Sequence, residues 1–143
     1  MKMIKALRIF HDLIKTLKAS EELQDIRFVK RYSCVPAENP VGGYLAACSV
    51  SEMKSAPAFL GADSPADMCS ITGVIDLYSP FDAKPQEFEE KTAYLTEGIL
   101  MADKDSLVRS LEVSDIDFNS DMQTLTRKIK VKMEVWISGE EEL

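Results

Sequence analysis

One histidine, three cysteines and two close pairs of aspartates are the residues of this 143-residue chain best suited to chemistry. His11 is the sole histidine, so any Cys–His or Ser–His–Asp nucleophile would have to use it. It stands beside Asp12 in a basic stretch, where a local contact or a solvent-facing position accounts for it. Cys34, Cys48 and Cys69 are widely spaced with no CxxC. A single histidine cannot complete a zinc set with them, and an odd count argues against a disulfide scaffold. They read as small buried apolar residues. Asp63 and Asp67, like Asp115 and Asp117, lack the dense oxygen spacing of a calcium loop and read as turn residues. GxGxxG, GxxxxGK[ST], HExxH and GxSxG are all missing. The expectation is a protein that is not an enzyme and uses no metal or cofactor.

Charge is the next candidate for chemistry. The chain has 17 Lys+Arg against 24 Asp+Glu, a net charge of −7. That balance argues against a general nucleic-acid binder, which needs a basic face to displace phosphate counterions. The distribution is uneven: residues 1–33 hold more basic than acidic groups, and residues 52–121 the reverse. Lys5, Arg8 and Lys15 at one end, and Glu87, Glu89 and Glu90 in the middle, are candidates for attraction between copies. The acidic run has a plainer explanation as a helix-dipole complement and a solvated face. Lys128, Lys130 and Lys132 give an exposed basic strand face that could touch phosphate. Lysines on an exposed strand also discourage edge-to-edge pairing, which explains them without a ligand.

These groups need elements to hold them. Ile4, Leu7, Phe10, Ile14 and Leu17 recur at steps of three and four and predict a helix over 3–19. Residues 26–34 and 44–50 are rich in β-branched and aromatic side chains and predict two strands, paired as a hairpin across Pro36–Gly43. Residues 51–70 carry Pro57, Gly61 and Pro65 and predict a long loop. Its apolar content is high for a loop: Met53, Phe59, Leu60 and Met68 would fold back on the core or dock on another protein. Residues 70–78 predict a third strand. Pro85, the glutamates after it and the stripe Phe88, Thr92, Leu95, Ile99 and Ala102 predict a helix over 85–102. Residues 107–118 alternate with a phase shift at Ser114–Asp115, a sign of a bulge or bend. Residues 124–137 alternate throughout, apart from Arg127 on the apolar face, and form a second hairpin with them across Asn119.

The order α-β-β-loop-β-α-β-β predicts an α+β fold of two layers, with an antiparallel or mixed sheet of about five strands under two main helices on one face. A single domain over 1–138 is expected, with 139–143 as a frayed tail. Apolar runs are too short for a membrane span, and Arg8, His11, Asp12 and Lys15 interrupt any signal-like stretch, which predicts a cytosolic chain.

The chain resembles the tail terminator (tail completion) proteins of long-tailed bacteriophages and of prophage-derived tail-like particles. The resemblance lies in the helix from Met3 to Leu17, the Pro36–Gly43 turn region and the helix 85–102 between strands. It lies above all in Leu111–Phe118, Asn119-Ser120-Asp121 and the long alternating strand Leu125–Ile137. It implies a structural protein, forming a six-fold ring that caps the tail tube and offers a surface to a head connector or collar protein. Partners would be further copies of the chain, the tube protein and the connector, without sequence-specific nucleic-acid recognition and without a membrane. The location implied is the host cytoplasm during assembly, then the finished particle. A different neck or head–tail joining protein, and a small non-phage ligand-binding α+β module, are the alternatives.

Overall fold

The computed structural model describes residues 2–30, 43–59, 65–81, 83–121 and 123–138. Two helices lie against a mixed sheet of six strands, an α+β arrangement. Helix α1 spans Lys2–Ala19, and a 3₁₀ turn at Glu21–Leu23 leads into β1, Ile26–Lys30. Then come β2 (Tyr44–Phe59), β3 (Pro65–Tyr78), α2 (Pro85–Ala102), β4 (Val108–Val113), β5 (Asp117–Asn119) and β6 (Thr124–Ser138). The sheet runs β1-β2-β3-β6-β4, with β5 also paired to β6.

Three expectations change. First, β1 and β2 are parallel, Ile26 standing opposite Tyr44 and Lys30 opposite Cys48. A parallel pair cannot be closed by a tight turn, so β1 and β2 are not the hairpin expected across Pro36–Gly43; residues 31–42 lie outside the described residues. Second, most of the expected loop at 51–70 is strand. β2 and β3 pair antiparallel from Leu45↔Tyr78 to Phe59↔Pro65, with one irregularity between Val50 and Glu52. Pro57 and Pro65 are accommodated inside β2 and at the start of β3. Third, the buried line of α1 is Ala6, Phe10, Leu13 and Leu17, while Ile4 is 49% exposed and Leu7 and Ile14 are half-buried. Residues 139–143 lie outside the described residues.

Helix α2 follows its stripe: Phe88, Thr92, Leu95 and Ile99 are buried, and Pro85 opens the helix where its missing N–H costs nothing. Strand β6 keeps its period of two, with Ile129, Val131, Met133 and Val135 buried. Both helices contribute to one core, Phe10, Leu13 and Leu17 with Phe88, Leu95 and Ile99, over the β3 and β6 residues Ile75, Leu77, Ile129 and Val131. A smaller cluster of Ala6, Cys69, Ile71 and Val135 continues it under the start of α1.

Specific contacts lock these layers. Gly73 lies beneath Phe10 so closely that a Cβ there would come within 2.2 Å of the ring. Tyr44 stacks on Phe88, and Lys91 sits 5.2 Å over the Tyr44 ring while pairing with Asp25. At the end of β3, Ser79 N donates to Leu125 O at 2.9 Å and Leu125 N donates to Ser79 Oγ at 2.8 Å. The Asp103 carboxylate accepts from Leu107 N at 2.8 Å and Val108 N at 2.9 Å, turning α2 into β4. The phase shift at Ser114–Asp115 is the gap between β4 and β5, bridged by Ser114 N to Lys128 O and Lys128 N to Ser114 Oγ, both 2.9 Å.

Strand length is the main architectural fact. β2 has 16 residues and α2 has 18. At about 3.3 Å per strand residue and 1.5 Å per helix residue, the strand runs roughly 50 Å and the helix roughly 27 Å. Among the described residues, β1 accompanies β2 along Tyr44–Cys48 and β4 accompanies β6 along Ile129–Met133. Beyond those points β2, β3 and β6 continue as a three-stranded arm.

Candidate functional site

The arm carries most of the apolar residues singled out from the sequence, though not on one surface. Met53 pairs with Ile71, so it lies on the helix side of the sheet, beside the part covered by the start of α1, and is 50% exposed. Met68 pairs with Ala56 on one side and Trp136 on the other, which places it on the open side. Met68 is half-buried and Trp136 is 41% exposed. Met53 and Met68 are therefore divided between two faces, because side chains alternate across a strand. Phe59 ends β2, and Leu60 lies outside the described residues. The alternation of β6 puts Trp136 on its lysine side, and the register of β3 sets it opposite Met68.

The open face of the sheet holds Lys128, Lys130 and Lys132, all exposed. Their cross-strand neighbours change their meaning. Asp76 stands opposite Lys128, Glu112 opposite Lys130, and Thr72 and Ser110 opposite Lys132. Lys130 and Lys132 line a shallow cleft of about 230 Å³ together with Glu52, Lys54 and Glu112. Lys54 pairs with Glu52 at 2.7 Å, and their hydrogen bond holds the Glu52 carboxyl below its usual range. Arg109 pairs with Glu134 at 3.4 Å at the same sheet edge. The lysine row is thus one line of a charge-balanced face and not an isolated basic stripe.

A second cleft, about 390 Å³, opens between α1 and the β1–β2 edge, where Phe10, Ile14, Phe28 and Val50 meet Cys48 and Lys18. Burial pushes the Cys48 thiol up to about 12, against a smaller opposing pull from Lys18. Such a thiol is a poor nucleophile at neutral pH. The Ser49 hydroxyl, on the same wall, is buried with no hydrogen-bond partner among the described residues. Cys69 is fully buried, and Cys34 lies outside the described residues. Among the described residues no three His, Cys, Asp or Glu side chains gather as a metal site, and no helix is long and apolar enough to cross a membrane.

The charge candidates sit on the two helices. Lys5, Arg8 and Lys15 are exposed on α1, and Glu87, Glu89 and Glu90 on α2. His11 is also exposed, on the side of α1 that borders the β1–β2 cleft, with Lys15 and Lys18. Tyr94, Leu100 and Met101 are exposed on the outer surface of α2 at 49%, 57% and 79%. They fall off the α2 core stripe, and their signal in the sequence is that large apolar residues interrupt an otherwise acidic face. Neither a protein-family model nor a curated protein matches this chain.

Proposed function

We propose that this protein is a structural component of a phage-type tail, a subunit that assembles with its own copies into a ring, caps the tail tube and presents a surface to the head connector or collar. The observation that carries this reading is the arm of β2, β3 and β6, which runs on past β1 and β4 with edges that are unaccompanied among the described residues. A globular enzyme or ligand-binding module gains nothing from strands that run on past their edge partners. A subunit that must grip a tube beyond its own core does, and free strand edges and exposed Met53 and Trp136 are suitable contact groups there. The α+β order of elements supports the same reading.

Multi-angle light scattering across a concentration series, with and without assembled tail tubes, tests it. The expected result is a concentration-dependent oligomer and co-migration with tubes. A chain that stays monomeric and ignores tubes overturns the proposal.

A further inference from the structure

The outer surfaces of the two helices match each other residue for residue. On α1, Ile4, Arg8, His11, Lys15 and Lys18 follow one another at steps of four, three, four and three, and all are exposed. That spacing keeps them on one line of the helix. On α2, Glu87, Glu90, Tyr94, Glu97 and Met101 follow at steps of three, four, three and four, and all are exposed. Reversing the first line gives the step order of the second. None of the charged groups in either line has an ion-pair partner among the described residues.

We infer that α1 of one copy docks antiparallel on α2 of a second copy along these two lines. In that register Lys18 meets Glu87, Lys15 meets Glu90, His11 meets Tyr94, Arg8 meets Glu97 and Ile4 meets Met101. Every position is complementary: three opposite charges, one pair of rings and one apolar pair. The half-exposed Ile4 and the 79% exposed Met101 cover each other at one end. At the other end the α2 N-terminus, with Glu87, lies beside the α1 C-terminus, with Lys18, so the two helix dipoles oppose favourably.

The lines cannot satisfy each other within one molecule. There Leu17 lies against Gly98, so Lys15 stands level with about Leu100, roughly ten residues or 15 Å of helix from Glu90. Both lines are exposed and lie off the buried stripes of their helices, the α1 line along the side that borders the β1–β2 cleft. A second copy is the occupant because this chain itself carries both members of the complementary pair. The contact joins unlike surfaces, as in a head-to-tail association. It rests on the self-assembly in the proposed function but not on the tail tube.

Carbodiimide coupling of a mixture of ¹⁴N- and ¹⁵N-labelled chains tests the register, because it joins only amines and carboxylates already in contact. Mixed-isotope peptides linking Lys15 to Glu90 and Lys18 to Glu87 are expected. Links confined to one chain, or from these lysines to other acids only, overturn the inference. Sedimentation tests the energetics with Arg8→Glu/Lys15→Glu and Glu90→Lys/Glu97→Lys, whose exposed positions leave the core untouched; circular dichroism checks the fold. Each variant alone should stay monomeric where the native chain associates, and an equimolar mixture of the two should associate again. Native association should weaken by about tenfold or more between roughly 50 and 500 mM salt. Variants that associate alone like the native chain, or a mixture that stays monomeric, overturn it. Tube capping that survives in both variants would leave the tail reading standing while removing this seam.

Discussion

Cys48 shows how burial alone sets the behaviour of a side chain. Its thiol is pushed from 9.0 to about 12 by desolvation, with Asp76 acting in the same direction and Lys18 opposing. Tyr44 is raised as well, chiefly by burial and then by Glu87, Asp25 and Glu90. A group whose folded value lies above its unfolded value favours folding while it stays protonated. For Cys48 this contribution is fully present below about pH 9 and is lost as pH rises through about 12. The urea midpoint should therefore fall from pH 8 to pH 11, and fall less in Cys48→Ala; equal pH dependence in the two proteins contradicts the assignment. The inert character of Cys48 and Cys69 was legible in the sequence, since their number, spacing and lack of a histidine partner left only a packing role. The line of exposed groups on α2 was not, because apolar residues off a core stripe carry no local mark of what covers them.

Elements were legible where the pattern was local. Helix α2 announces itself by Pro85, its glutamates and its stripe, and β6 by unbroken alternation. Helix α1 has apolar residues over a wide arc, so the line Ile4, Leu7, Phe10, Ile14, Leu17 and the buried line Ala6, Phe10, Leu13, Leu17 overlap in the sequence. Only the sheet beneath chooses between them. Pro57, Gly61 and Pro65 concealed the outer halves of β2 and β3, because those strands are held by pairing with β3 and β6 rather than by propensity. The parallel direction of β1 depends on a distant partner and leaves no local trace. The α1–β3 contact makes its own prediction. Gly73→Ala should cost about 1–3 kcal/mol in urea denaturation, since the new methyl overlaps the Phe10 ring. In a Phe10→Leu background the added cost should shrink, because the two sites share one space. An undiminished cost there contradicts the packing argument.

For the whole molecule, the proposed reading gives the arm and the core separate duties. Met53 is half exposed on β2, where that strand runs on past β1 among the described residues. Met53→Glu should change stability by no more than about 0.5 kcal/mol, as surface positions do. It should nevertheless abolish co-sedimentation with tail tubes, if the arm is the gripping surface. Unchanged tube binding would move that role elsewhere on the fold. The charge of the molecule divides along similar lines: the sheet face balances its own lysines with Asp76, Glu52 and Glu112, while the helix layer keeps its positive and negative lines apart.

The edge of β2 past Cys48, unaccompanied among the described residues, also bears on how the protein behaves at high concentration. A strand edge that admits a partner admits any extended chain, and long uninterrupted edges seed fibres. Here the row of backbone donors and acceptors is interrupted twice, by the register irregularity between Val50 and Glu52 and by Pro57, which has no N–H to give. Each remaining run is only a few residues long, and the first carries the charged pair Glu52 and Lys54. Such an edge suits a short partner strand better than indefinite growth, and it is a poor template for a fibre.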